Sequence, residues 1–385
     1  MKRATRAPPG PGRRLVSDCL LVATRKGLFT VERGRQGRWA IERRDFLGDH
    51  LSLVMADRRT GARFAAFQHG HYGAKLSRST DGGRTWHECG KPVYPEKPKD
   101  EVDNDPIRGT PIAWNVERIW SLEPGTAREA GLVWLGTIPG GLFRSRDGGD
   151  HWELVRSLWH HPKRKEWFGG GADLPGLHSI CVNPDDGRHV TVGVSCGGVW
   201  VTRDGGDRWE CRADGMVARY MPPDRQRDPN IQDPHRVVQC RARPEYLWAQ
   251  HHNGVWRTTD GARSWQEITA VQPSVFGFAV AVHPEDPDVA WFVPAVKDEQ
   301  RVPVDGRVVV ARTRNGGRSF EELRNGLPQL EAWDLTFRHG LDVDETGECL
   351  AFGSTTGSLW VSNDQGELWQ TVSEHLPPID CVRFA

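Results

Sequence analysis

Short apolar runs alternate with polar or glycine-rich turns along almost the whole chain, and the runs are too brief for the 3.6-residue stripe of a helix. Residues 177–183, 189–194 and 198–202 show the unit plainly: an apolar strand, a polar turn, a second strand, a short glycine-rich turn and a third strand. A characteristic tail follows, Thr202-Arg203-Asp204-Gly205-Gly206 with Trp209 close behind.

The same tail recurs as Ser79-Thr80-Asp81-Gly82-Gly83 with Trp86, Ser145-Arg146-Asp147-Gly148-Gly149 with Trp152, and Thr258-Thr259-Asp260-Gly261-Ala262 with Trp265. Thr313-Arg314-Asn315-Gly316-Gly317 with Phe320 and Ser362-Asn363-Asp364-Gln365-Gly366 with Trp369 are looser copies, and Thr30-Val31-Glu32-Arg33-Gly34 with Trp39 is a decayed seventh. Their spacing stays near one-seventh of the 385 residues, the length of one four-stranded sheet with its loops. In each copy the hydroxyl and carboxylate can bond the backbone of a tight hairpin, glycine supplies positive φ, and the indole covers the turn. The motif therefore predicts a structural clasp.

Motif and spacing together resemble the Asp-box, or bacterial neuraminidase repeat, propellers, over essentially the whole chain. The resemblance implies an all-β, seven-bladed β-propeller. It implies little about activity, because propellers of this kind include sialidases, xyloglucanases, sortilin-type receptors and photosystem assembly factors. The chain ends suggest how the ring closes. Residues 19–24 and 27–32 read as second and third strands, so the first blade lacks its innermost one, while residues 379–384 form an apolar strand with nothing after it. Pairing the two ends leaves no exposed sheet edge.

Composition fits this picture. The chain has 17 Trp and 43 Gly against 4 Met, a balance suited to many short strands and tight turns. Lys+Arg and Asp+Glu each total 51 with no basic face, which argues against nucleic acid as a partner. No run approaches the roughly 18–20 apolar residues of a membrane span. The eight cysteines lack a CxxC pair and lie mostly in strand-like runs, as expected of reduced packing residues in a cytoplasmic protein. Residues 1–16, with Lys2, Arg3, Arg6, Arg13 and Arg14 among prolines and glycines, read as a disordered basic leader, and residues 17–385 as one propeller.

In an up-and-down blade, the connection into the innermost strand and the second-to-third turn open on one face, and the Asp-Gly clasps lie on the other. Long insertions near residues 88–116, 155–176, 210–234, 266–276 and 321–334 all fall on the first face, where loops of such length are usually functional. His50, Glu117, His178, His235, His339 and Asp380 stand at or just before innermost strands, once per blade. The second-to-third turns add His69, His71, Tyr72, His251 and His252, with Arg25 and Lys26 in the first blade.

Neutral imidazoles converging from separate blades suit Fe, Zn, Cu or Ni, so His50, His178, His235 and His339 are the candidate ligands of a divalent transition metal. Glu117, Asp380, Tyr72, His251 and His252 are the candidate catalytic groups. His69, His71, Arg25, Lys26 and Trp114 are the candidate contacts to a small polar or aromatic substrate. The expectation is a metal-assisted enzyme of hydrolase, lyase or oxygenase type. Two alternatives stand beside it: a non-catalytic scaffold or binding module, and a sialidase-like glycoside hydrolase. The last lacks an Arg-Ile-Pro segment and has only four tyrosines to draw on, with Tyr220 beside Arg219 as its nucleophile candidate.

Overall fold

The computed structural model describes residues 16–70, 73–170 and 172–385, so the proposed leader, apart from Val16, lies outside the described residues. Among these residues 28 strands form seven antiparallel four-stranded sheets. Six sheets are continuous in sequence. The first blade joins the two ends of the chain: Ile379–Phe384 lies beside Cys19–Thr24, followed by Gly27–Arg33 and Trp39–Asp45. Leu20 stands opposite Phe384 and Val22 opposite Val382, which is the closure expected from the sequence.

The middle strands of a blade are covered by neighbouring blades on both faces, so they read as continuous apolar runs. Val190–Val194 and Gly198–Thr202 are buried at every position. An outer strand keeps one wet face, and Trp39–Asp45 accordingly alternates between covered and exposed positions. Trp134, Trp200, Trp256, Trp291 and Trp360 fill the spaces between blades and are fully buried. Each removes on the order of 200 Å² from water, worth at most about 5 kcal/mol before entropy is counted.

The repeated turns are built as clasps. Ser79 Oγ accepts the Gly83 N–H at 2.8 Å and donates to Asp81 Oδ1 at 2.8 Å, and that oxygen accepts the Arg84 and Thr85 N–H groups at 2.9 and 3.0 Å. The Ser or Thr hydroxyl donates to the side-chain Oδ1 in the same way at Asp147, Asp204, Asp260, Asn315 and Asp364. The decayed copy makes no such clasp; Thr30 Oγ1 instead accepts from Arg43 at 3.2 Å.

In four blades an arginine placed just before the hydroxyl residue reaches the clasp of the following blade. Arg78, Arg144, Arg257 and Arg312 donate to the carbonyls of Gly148, Gly205, Gly316 and Gln365 at 2.6, 2.9, 3.2 and 2.9 Å.

The long insertions fall where the sequence places them, between an outer strand and the next innermost strand. Two other features were not foreseen: residues 295–309 extend the second-to-third connection of blade 6, and residues 336–339 loop out ahead of the innermost strand of blade 7. All eight cysteines are free, seven of them buried. No helix among the described residues is long and apolar enough to cross a membrane.

Candidate functional site

Where the innermost strands reach the insertion-bearing face, six of them carry one extra residue. The register slips at Asp380, Ser52, Trp120, His178 and His235 in blades 1 to 5, and across Phe278 and Ala279 in blade 6. A bulge re-aims the extra side chain, and here the re-aimed groups meet one another. Trp120 and His178 pack edge to face at 5.6 Å, and His235 stacks on Phe278 at 4.5 Å. In blade 7 the loop 336–339 takes the place of a bulge and sends Arg338 across the funnel, its guanidinium 4.7 Å from Trp120 and 5.5 Å from Phe278.

Beside this floor lies the chemically most loaded cluster. Asp233, His235 and His252 present ligand-type atoms within 4.8 Å of one another, the only such group of three among the described residues. His235 Nε2 and His252 Nδ1 each stand 3.6 Å from Asp233 Oδ2. His235 Nδ1 lies 2.7 Å from the Gly277 carbonyl, which can only accept, so Nδ1 carries the hydrogen and the neutral ring keeps its Nε2 lone pair for the cluster. The other carboxylate oxygen of Asp233 accepts from Ser195 Oγ and the Cys196 N–H, both at 3.2 Å, which orients Oδ2 inward.

Burial disfavours charge on all three groups. At Asp233 the two imidazoles and Arg338 outweigh it and hold the carboxyl well below its usual range. At His235 burial prevails and lowers the pKa, whereas at His252 the Asp233 carboxylate prevails and raises it.

The four histidines expected to share one metal do not converge. His50 Nε2 bonds Asp380 at 2.6 Å, with Arg25 at 3.7 Å from the same carboxylate, forming a separate polar chain at the mouth. His339 Nδ1 faces the Arg236 guanidinium at 2.9 Å and must accept from it, so the hydrogen sits on Nε2 and neither nitrogen is available to an ion. His178 is fully buried, with Nδ1 2.9 Å from Ser179 Oγ. Of the four, only His235 lies in the cluster. His50 and Glu117 stand immediately before their innermost strands, as expected, but short of the bulged Ser52 and Trp120 whose side chains are re-aimed.

The remaining predicted residues divide as follows. His251 is structural: backbone N–H groups of Asp233 and Asn253 face its two ring nitrogens at 3.1 and 2.9 Å, and burial brings its pKa down to about 3. Glu117 is exposed at the mouth, its pKa raised by partial desolvation of the carboxyl and then by Asp173. Trp114 donates its indole N–H to Asp103 at 2.7 Å and packs on Trp159, so it locks insertions together. His69 stacks on Phe67 with Asp49 3.9 Å away, and the Lys26 side chain is exposed. His71 and Tyr72 lie outside the described residues. Tyr220, the nucleophile candidate, donates to the Ile231 carbonyl at 2.9 Å, and burial pushes its pKa far up.

Asp233 and Arg338 were missed. Asp233 had a legible signal, since it stands two residues before His235 on the approach to the same strand; Arg338 had none. A groove of ≈ 530 Å³ between blades 5 and 6 is lined by Arg257, Glu267, Asp288 and Arg318, but Arg257 is already paired with Asp288 there.

These features define the class: a seven-bladed β-propeller with a polar, partly cationic funnel on its insertion face. No protein-family model matches the chain, and no curated protein matches it. Solved structures do. The GH74 xyloglucanase from Xanthomonas campestris aligns with a TM-score of 0.61 at 15% identity, covering 94% of this chain and 52% of that one. An ancestral GH74 enzyme gives 0.58 at 16% identity, covering 85% and 39%. YCF48 bound to a D1 peptide gives 0.50 at 15% identity, covering 84% and 82%. The chain thus spans about half or less of the two GH74 structures, and the likeness is one of fold.

Proposed function

We propose that the propeller is a metal-assisted enzyme whose centre is Asp233, His235 and His252, acting on a small polar or aromatic substrate in the funnel. The observation that carries this reading is the state of His235. Its Nδ1–H is committed to the Gly277 carbonyl, so a bare Nε2 faces a carboxylate oxygen 3.6 Å away, an arrangement that a shared cation relieves. Ligand atoms about 2.1 Å from one ion at tetrahedral angles stand about 3.4 Å apart, and the two separations of 3.6 Å are close to that. Two imidazoles and one carboxylate suit a divalent transition metal such as Zn or Fe. Held there, such an ion would supply Lewis-acid chemistry. Glu117, its carboxyl kept protonated toward higher pH by partial desolvation and Asp173, is the proton donor on the same face.

Elemental analysis of the purified full-length protein is expected to find about one transition metal per chain. Asp233→Asn and His252→Ala lose it, while His178→Ala keeps it. Metal-free protein that also fails to take up added zinc or iron overturns the reading.

A further inference from the structure

A buried guanidinium is costly unless paired and hydrogen-bonded. Among the described residues the buried arginines follow that rule with one exception. Arg164 bonds Asp103 at 2.7 Å, and Arg312 bonds Glu321, Glu367 and the Gln365 carbonyl. Arg338 is only 6% exposed, yet among the described residues it has neither a hydrogen bond nor an ion pair; Nε and Nη2 are buried without a partner. Nor is it a stray surface group turned inward. Trp120 from blade 3 and Phe278 from blade 6 hold it on the axis. Arg301, on the unforeseen extension of blade 6, packs over Phe278 at 5.2 Å, and Arg118 adds a further buried Nε with no partner. Arg301 is paired with Asp298, so Arg338 is the buried guanidinium of this floor left without a hydrogen-bond acceptor among the described residues.

We infer that Arg338 binds the carboxylate of a small, flat, preferably aromatic acid at this floor. The guanidinium fork matches a carboxylate in two parallel hydrogen bonds. The indole and phenyl walls favour a planar skeleton over a tetrahedral oxyanion. This assignment rests on the metal-centre reading for its chemistry, to which it adds a substrate class, but the binding itself needs no ion. The alternative is that Arg338 is a stacked plug that takes no ligand.

The two are separated by calorimetric titration of sodium benzoate into full-length protein stripped with EDTA, with inorganic phosphate as comparator. Benzoate is expected to bind saturably and more tightly than phosphate. Arg338→Met weakens it about tenfold or more, and Arg338→Lys, which keeps the charge but loses the fork, falls between. The metal centre is tested separately, by elemental analysis of the protein before stripping, so its failure and the failure of this assignment are distinguishable. Thermal melting shows whether each variant is folded, and Arg338→Lys serves if Arg338→Met is not. No binding to the wild type, equal binding to the folded Arg338 variants, or tighter binding of phosphate overturns the assignment.

Discussion

At His252 two effects oppose each other. Burial penalises the imidazolium, and the Asp233 carboxylate favours it more strongly, so the folded-state pKa is raised. A group raised on folding lends stability that is present in full below its unfolded pKa of about 6.5 and is lost as pH rises through the folded value. A cation held by Asp233, His235 and His252 takes the place of that proton, so metal affinity runs the opposite way. Zinc affinity, measured by competition with a chromophoric chelator, is expected to fall at least about tenfold between about pH 7.5 and 5.5. Affinity unchanged over that interval would mean the ion, if bound, is not held by these imidazoles. His251 is the useful contrast in the same turn: with both ring nitrogens faced by backbone N–H groups, it has no lone pair to offer, and neighbouring histidines thus have different chemistry.

At the scale of the element, the clasp is local but its arginine is not. Ser79, Asp81 and Gly83 satisfy one another within a single turn, which is why the motif survives as a recognisable string. Arg312 reaches out of its own blade to the Gln365 carbonyl and Glu367 while bonding Glu321 beside it, and it is 2% exposed. Arg312→Met removes those bonds but leaves glutamates that can rehydrate. The expected loss is about 1–3 kcal/mol in urea unfolding. A change below the error of the measurement would show that blade contacts are carried by apolar packing alone. The same position holds arginine in Arg78, Arg144 and Arg257, so the inter-blade tie is written into the repeat beside the clasp.

At the scale of the molecule, the ring depends on seven residues at its end. Without 379–385, Cys19–Thr24 would present an unpaired apolar edge, and such edges recruit other chains. Truncation after Pro378 is expected to replace one cooperative thermal transition with a broad one and to bring concentration-dependent aggregation in light scattering; a monomeric, cooperatively melting truncation would refute closure as the source of cooperativity. The sequence by itself determined the period, the strand order, the closure and the face that bears the insertions, because turns and apolar runs are properties of neighbouring residues. Which polar groups share a site was decided only by the tertiary structure. One extra residue in an innermost strand changes which side chain is re-aimed, so in blades 2 and 3 the bulge falls on Ser52 and Trp120 and not on His50 and Glu117 just before the strands. The loop 336–339 sets Arg338 between Trp120 and Phe278, residues of two other blades that only the closed ring makes neighbours.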